Sequence, residues 1–251
     1  MSDGFRKRLA GHDMLIGTIV TLDSPAAAER LACSGFDWLF IDGEHAPLSI
    51  GGIQSLLQAV GGRCPCIVRV PATDEIWIKK VLDAGADGII VPQVSTPENA
   101  RRVVGWCRYP PDGVRGVGVA RAQGYGARMD QYLMRANDDI AVILQIENVD
   151  AVANVSQIAA VTGVDALFVG PYDLSASLGV PGNVTSPKVV ESIQRVADAC
   201  RESGIAAGIF AMDAEAAKPW KKRGFRLVAV GIDIVFLGAA ADATLRALRE
   251  N

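Results

Sequence analysis

The chain has 251 residues, of which 50% are hydrophobic and 21% charged, with 26 glycines and a formal net charge of −3. These proportions exclude a disordered, collagen-like or disulfide-stapled chain, and an acidic balance with no basic stripe of interleaved aromatics argues against a nucleic-acid partner. A mean hydropathy of +0.24 requires either a membrane span or a large buried parallel sheet.

In chain order, short apolar runs alternate with helical stretches. Residues 14–20 form the first predicted strand. Ser24 as N-cap and Pro25 at the first helical position open a helix to Ser34. Strands follow at 38–41 and 66–70, then a helix over 74–83 with Gly85 at its end, then a strand at 88–91. Thr96 and Pro97 start a helix to Cys107. Strands at 140–146 and 166–169 come next, and Ser186 with Pro187 starts a helix to Ser203 in the same way. Strands at 206–210 and 227–230 precede a closing helix over 234–249. The eight strand segments are continuous apolar runs, which suits parallel strands buried on both faces. Their alternation with helices predicts one α/β domain over residues 1–251, a (β/α)8 TIM barrel. The turn after the first strand lacks the glycine-rich pattern of a doubly wound dinucleotide-binding sheet, so no nucleotide cofactor is expected.

The most apolar stretch, residues 227–243, is interrupted by Asp233, whereas a spanning helix needs about 20 mostly apolar residues. The basic N-terminus lacks the apolar core of a signal peptide. A cytoplasmic protein with no membrane partner is therefore expected. Cys33, Cys64, Cys66, Cys107 and Cys200 lack zinc-site spacing and read as packing thiols. Residues 108–139 break the rhythm with prolines, many glycines and five arginines. So long a connection in a compact barrel is usually functional, and it reads as an active-site or interface excursion.

A barrel of this kind carries its active site at the C-terminal ends of its strands. The polar residues there include Asp42, Glu44 and His45 after strand two, Arg69 on strand three, Gln145 and Glu147 at strand five, and Gly170, Pro171, Tyr172 and Asp173 after strand six. Glu147 and Asp173 follow adjacent strands and suit a hard, oxygen-seeking divalent cation. His45 lies three residues after Asp42, an acid able to set the imidazole tautomer for general acid–base work. Asp83 is a further candidate for that network. Arg69 is costly to bury without an anion; it pairs with Asp42 or Glu44, or it stabilises a developing oxyanion. None of the seven lysines stands at a predicted strand C-terminus, which argues against a Schiff base.

The stretches 40–47 (FIDGEHAP), 68–71 (VRVP), 108–116 (RYPPDGVRG), 145–147 (QIE) and 170–175 (GPYDLS) together resemble the HpcH/HpaI aldolases, metal-dependent pyruvate aldolases, over residues 17–240. The resemblance implies a lyase that cleaves a 4-hydroxy-2-oxo acid to pyruvate and an aldehyde. It implies Glu147 and Asp173 as ligands of Mg²⁺, Mn²⁺ or Co²⁺, with Gln145 lining the site. Backbone around Gly170, Pro171, Tyr172 and Asp173 would hold the pyruvate carboxylate. His45, supported by Asp42 and Asp83, would move protons through water, and Arg69 would stabilise the enolate. Phe210 would narrow the aldehyde entrance. A homohexamer, a trimer of dimers with the C-terminal helix exchanged between subunits, is also implied. Oxaloacetate decarboxylation, cleavage of an acyl-CoA such as malyl-CoA with arginines of the 108–135 stretch binding its phosphates, and a non-catalytic binding barrel are the alternatives.

Overall fold

The computed structural model describes residues 4–249. Its elements are α1 (Phe5–Ala10), β1 (Leu15–Val20), α2 (Pro25–Ala32), β2 (Trp38–Asp42), α3 (Ile50–Val60), β3 (Cys66–Arg69), α4 (Glu75–Asp83), β4 (Gly88–Val91), α5 (Pro97–Cys107), α6 (Met129–Leu133), α7 (Ala136–Asp139), β5 (Ala141–Ile146), α8 (Val149–Ala153), α9 (Val155–Ala159), β6 (Ala166–Val169), α10 (Pro171–Ser177), α11 (Pro187–Ser203), β7 (Ala206–Ala211), α12 (Ala214–Lys222), β8 (Leu227–Ile232) and α13 (Asp233–Arg249). The strands close into one parallel barrel in the order β1 to β8, as their apolar runs predict.

Strands β2 to β6 bury both faces, β1 leaves Ile16 exposed, and two separate apolar layers result. Leu15, Ile19, Trp38, Phe40, Ile67, Ile90, Ile143 and Phe168 fill the barrel interior. A larger layer, including Leu39, Ile41, Val68 and Leu144, packs outward under the helices. Two glycines make room for the interior aromatics. A Cβ on Gly17 would meet the Trp38 indole at 2.5 Å, and one on Gly208 would meet Phe168 at 2.6 Å. Phe5 and Leu9 of α1 are buried in this inner layer, and Phe5 lies 6.1 Å from Trp38, so α1 plugs the N-terminal end of the barrel.

Local signals set the helix starts. Ser24 Oγ accepts from Ala27 N at 3.4 Å, and Thr96 Oγ1 accepts from Asn99 N at 3.2 Å. Ser186 makes no such bond, and α11 relies on Pro187 at its first position. Sequence patterning passes over α3 and α12. Gly51 and Gly52 weaken the first turn of α3, and Pro219 removes a donor inside α12, so propensity there is poor and burial or packing against the sheet decides.

The 108–139 excursion does not reach the mouth of its own barrel. Helix α5 runs back to the N-terminal ends of the strands, and the excursion stays at that end. Arg108 Nη1 donates to Ile140 O at 2.9 Å, just before β5. Arg121 Nη1 donates to Ala84 O at 2.8 Å, just after α4. Of the two readings of this excursion, active-site or interface, the first does not hold within the chain: its arginines supply no phosphate-binding patch at this chain's own mouth. All five cysteines are unpaired, and four are buried; Cys33 is exposed, which corrects its reading as a packing thiol.

No helix among the described residues is long and apolar enough to cross a membrane. Helix α13 leaves the barrel surface. Asp233 is its buried residue, and the exposure rises to 61% at Leu237 and 74% at Leu248. The outer faces of β1 and β8 are left partly uncovered, while Val20 and Val228 remain buried. Met14, Ile16, Val228 and Val230 line a cavity of about 300 Å³ there with α12, and Ile16, on a barrel strand, is 37% exposed.

Candidate active site

The C-terminal ends of the strands surround a cavity of about 270 Å³, lined by Asp42, His45, Arg69, Gln145, Asp173 and Phe210 among others. Register explains the assembly: Asp42 and Arg69 are direct partners across β2 and β3, so both leave the sheet at the same height. Arg69 Nε donates to Asp42 Oδ1 at 3.0 Å and Nη2 to Asp42 Oδ2 at 2.7 Å. Arg69 Nη1 donates to Gln145 Oε1 at 3.2 Å, and Gln145 Nε2 donates to Glu147 Oε2. The other Glu147 oxygen accepts from Gln93 N at 2.6 Å. One hydrogen-bonded line therefore crosses the mouth from β2 to the turn after β4. Gln93 holds its end from a left-handed backbone, φ 57°, a conformation that non-glycine residues adopt at a cost and that clusters at functional sites. Nothing in the residue type announced Gln93, because it contributes its main chain.

Burial and charge set the protonation of these acids. Burial pushes Asp42 up, but the Arg69 hydrogen bonds and charge, with the His45 and Glu44 N–H groups, outweigh it and the pKa is lowered. Burial raises the pKa of Glu147; Gln145 and Gln93 oppose this, and the charge of Asp173 adds to it. Burial likewise raises that of Glu44, with Arg69 opposing and Glu147 adding.

Asp42 does not orient the His45 ring. It accepts the main-chain N–H groups of Glu44 at 3.0 Å and His45 at 3.2 Å, and its carboxylate is otherwise taken by Arg69. The acid beside the imidazole is Glu44: its Oε2 lies 3.9 Å from His45 Nε2 and 3.2 Å from Arg69 Nη1. That buried oxygen has no hydrogen-bond partner. Asp83 is also not brought to this network within the chain. It ends α4 at the opposite end of the barrel, where Arg115 Nη2 donates to it at 2.7 Å. The FIDGEHAP stretch shows Glu44, but its direction follows only from the turn that Asp42 closes.

The fit of a divalent cation can be judged from the acids themselves. Gly170 begins the turn into α10, and a Cβ there would meet Gln145 Nε2 at 3.2 Å, the Glu147 Cβ at 3.5 Å and Asp173 Oδ2 at 3.6 Å. Both acids thus border one small space that a side chain on Gly170 would fill. Two carboxylates suit a hard cation whose other positions go to water and substrate oxygens. Among the described residues no group of three or more His, Cys, Asp and Glu side chains gathers at one point. Asp233, at the end of β8, is not a site group; its oxygens take Thr21 N and Leu22 N, each at 2.9 Å, and Thr21 Oγ1 at 2.6 Å.

A closed parallel barrel with an Arg–Gln–Glu line and a second acid at its mouth defines an enzyme-type site at the strand C-termini. Residues 15–239 match the model of the HpcH/HpaI aldolase/citrate lyase family. The chain is 43% identical to the hydroxypyruvate/pyruvate aldolase of Paraburkholderia phytofirmans, covering 97% of this chain and 96% of that one. It is 42% identical to the 4-hydroxy-2-oxo-heptane-1,7-dioate aldolase of Escherichia coli, covering 97% and 94%. A solved HpcH/HpaI aldolase/citrate lyase family protein from Burkholderia cenocepacia superposes with a TM-score of 0.94 at 42% identity, covering 97% and 98%. The chain belongs to the HpcH/HpaI aldolase/citrate lyase family.

Proposed function

We propose that this protein is a divalent-metal-dependent pyruvate aldolase, which reversibly cleaves a 4-hydroxy-2-oxo acid to pyruvate and an aldehyde. The observation that carries the reading is the line from Asp42 through Arg69 and Gln145 to Glu147, ending beside Asp173. The aldolase names of the two relatives agree with it. Glu147 and Asp173 would hold the cation, Mg²⁺, Mn²⁺ or Co²⁺. When bound, that ion supplies Lewis-acid polarisation of the 2-oxo group.

The chain's own groups account for the rest. First-turn N–H groups of α10, at Tyr172 and Asp173, have no carbonyl one turn before them and face the substrate carboxylate. His45 accepts, through water, the proton of the C4 hydroxyl. The C3–C4 bond breaks, its electron pair forms the enolate of pyruvate, and the aldehyde carbonyl forms at C4. Arg69 is held rigid by Asp42 and Gln145. Of its five N–H groups it keeps one on Nη2 for the enolate oxygen. Protonation at C3 gives pyruvate. Treatment with EDTA abolishes activity and Mn²⁺ restores it, while borohydride with pyruvate leaves every lysine unmodified. Full activity in a verified metal-free preparation, or a trapped lysine, overturns the reading.

The assembly proposed is a homohexamer, a trimer of dimers. The face of α13 is apolar and unpacked, and the β1–β8 groove beside α12 is apolar too, so a second copy's α13 would fill the groove. Val114, Val117 and Val119 of the excursion are exposed, which supports a subunit contact there. A cytoplasmic location is proposed as well.

A further inference from the structure

At the N-terminal end of the barrel, the turns that enter the even-numbered strands repeat one local structure. Gly35-Phe36-Asp37, Gly85-Ala86-Asp87 and Gly163-Val164-Asp165 lead into β2, β4 and β6, and Gly224-Phe225-Arg226 leads into β8. The four glycines have φ of 89°, 93°, 94° and 90°. In each turn the third residue donates its main-chain N–H to the preceding strand: Asp37 to Ile16 O at 2.8 Å, and Asp87 to Cys66 O, Asp165 to Val142 O and Arg226 to Ala207 O, each at 2.9 Å.

The side chains then diverge. Asp37 Oδ2 accepts the Ile16 N–H at 2.9 Å, Asp87 Oδ2 the Cys66 N–H at 2.8 Å and Asp165 Oδ2 the Val142 N–H at 2.8 Å. Each carboxylate takes a strand N–H that faces the next strand before that strand has begun. Arginine has donors and no acceptor, so Arg226 cannot do this for Ala207. Among the described residues no other group takes the Ala207 N–H, although Ala207 is 3% exposed. Buried main-chain donors are nearly always paired.

A pocket of about 280 Å³ lies there, lined by Ala207 and Arg226 with His12, Arg201 and Arg223, and by no acid among the described residues. Arg201 is paired with Asp198 at 2.8 Å. Arg223 caps the C-terminus of α12, where a cation serves the helix end, and lies over the Trp220 ring. Arg226 is half-buried, and among the described residues its guanidinium has no ion pair or hydrogen bond. The pocket shares no lining residue with the groove for α13 and includes none of the 108–139 excursion, the two surfaces proposed for subunit contact.

We propose that this pocket is a binding site for a small carboxylic acid. One carboxylate oxygen takes the Ala207 N–H, as the aspartate oxygens do at the other three turns, and the guanidinium of Arg226 pairs with the carboxylate through charge-assisted hydrogen bonds. The bound acid ties β7 to β8 as the chain's own carboxylates tie β1 to β2, β3 to β4 and β5 to β6. The site lies at the opposite end of the barrel from the mouth and is independent of the reaction proposed there.

The test is calorimetry with sodium acetate on the full chain, against sodium chloride at equal ionic strength. The parent binds acetate, and Arg226→Gln binds it at least ~10-fold more weakly, because a charge-assisted hydrogen bond is lost. Arg226→Asp supplies a carboxylate where β2, β4 and β6 have one, so its own side chain takes the Ala207 N–H and excludes acetate from the pocket. Acetate at about ten times its Kd should raise the thermal midpoint of the parent by about 3–6 °C more than that of Arg226→Asp. Acetate held at the barrel mouth is common to parent and variants, so the difference between them reports this pocket. In a crystal soaked with acetate, a carboxylate oxygen should lie within hydrogen-bond reach of Ala207 N. No acetate binding by the parent, equal binding by the parent and both variants, or tighter binding of inorganic phosphate than of acetate overturns the proposal.

Discussion

Asp42 and Arg69 meet as a two-pronged fork at the end of β2 and β3, with contacts of 3.0 and 2.7 Å. Both side chains are buried, so neither charge has water to fall back on. The fork makes the arginine a fixed donor, and that fixity is what an oxyanion stabiliser needs. Lysine has one point charge where arginine has a planar fork. Arg69→Lys is therefore expected to lower kcat by about 10²-fold while the protein remains folded. Asp42→Ala leaves the guanidinium short of a partner and is expected to cost about 3 kcal/mol of stability, read from urea unfolding.

His45 is the counter-case. Its side chain is 61% exposed, so its removal leaves no hole. His45→Ala should reduce kcat by about 10²- to 10⁴-fold, the usual contribution of a positioned general base, with an unchanged thermal midpoint. A loss of stability matching the loss of activity would contradict a catalytic role.

Glu44 gives the pH prediction. Burial raises its pKa above the usual 4.5, so folding disfavours the ionised form. The cost is present above the raised folded pKa and fades as pH falls toward the unfolded value. Glu44→Gln should thus be more stable than the parent at pH 7 to 8, with an advantage that shrinks toward pH 4.5. Urea midpoints across that range decide it; an advantage that grows in acid reverses the sign and refutes the argument. The same variant should displace the acid limb of the kcat/KM profile, since Glu44 is the acid beside His45.

Glu147→Gln and Asp173→Asn each remove a hard anionic ligand. Calorimetry with Mn²⁺ should show affinity falling by at least ~10-fold in each. Retained affinity in both would move the cation away from these acids.

The exposed face of α13 predicts an assembly. Leu237→Asp with Leu248→Asp places charge on that face and should shift the light-scattering mass toward smaller species. An unchanged mass would remove α13 from the contact.

Much of this was readable in one dimension because parallel barrel strands are buried on both faces, so all eight appear as unbroken apolar runs. Residues 88–91 and 166–169 coincide with β4 and β6 to the residue. Acids at strand ends were equally visible, since a barrel of this kind carries its active site there. Helices α3 and α12 were hidden by glycine and proline, whose local cost is offset by burial or packing that no window of residues displays. Arg69's choice among acids, the replacement of Asp42 by Glu44 beside His45, the pairing of Asp83 with Arg115, and the main-chain role of Gln93 were decided in three dimensions. Each depends on which end of the barrel a segment reaches and which atoms a turn leaves free. The amino-acid order thus determined the barrel and the kinds of groups at its mouth, because burial periodicity and residue chemistry are local. Their partnerships came from strand register and closure, which only the folded chain contains.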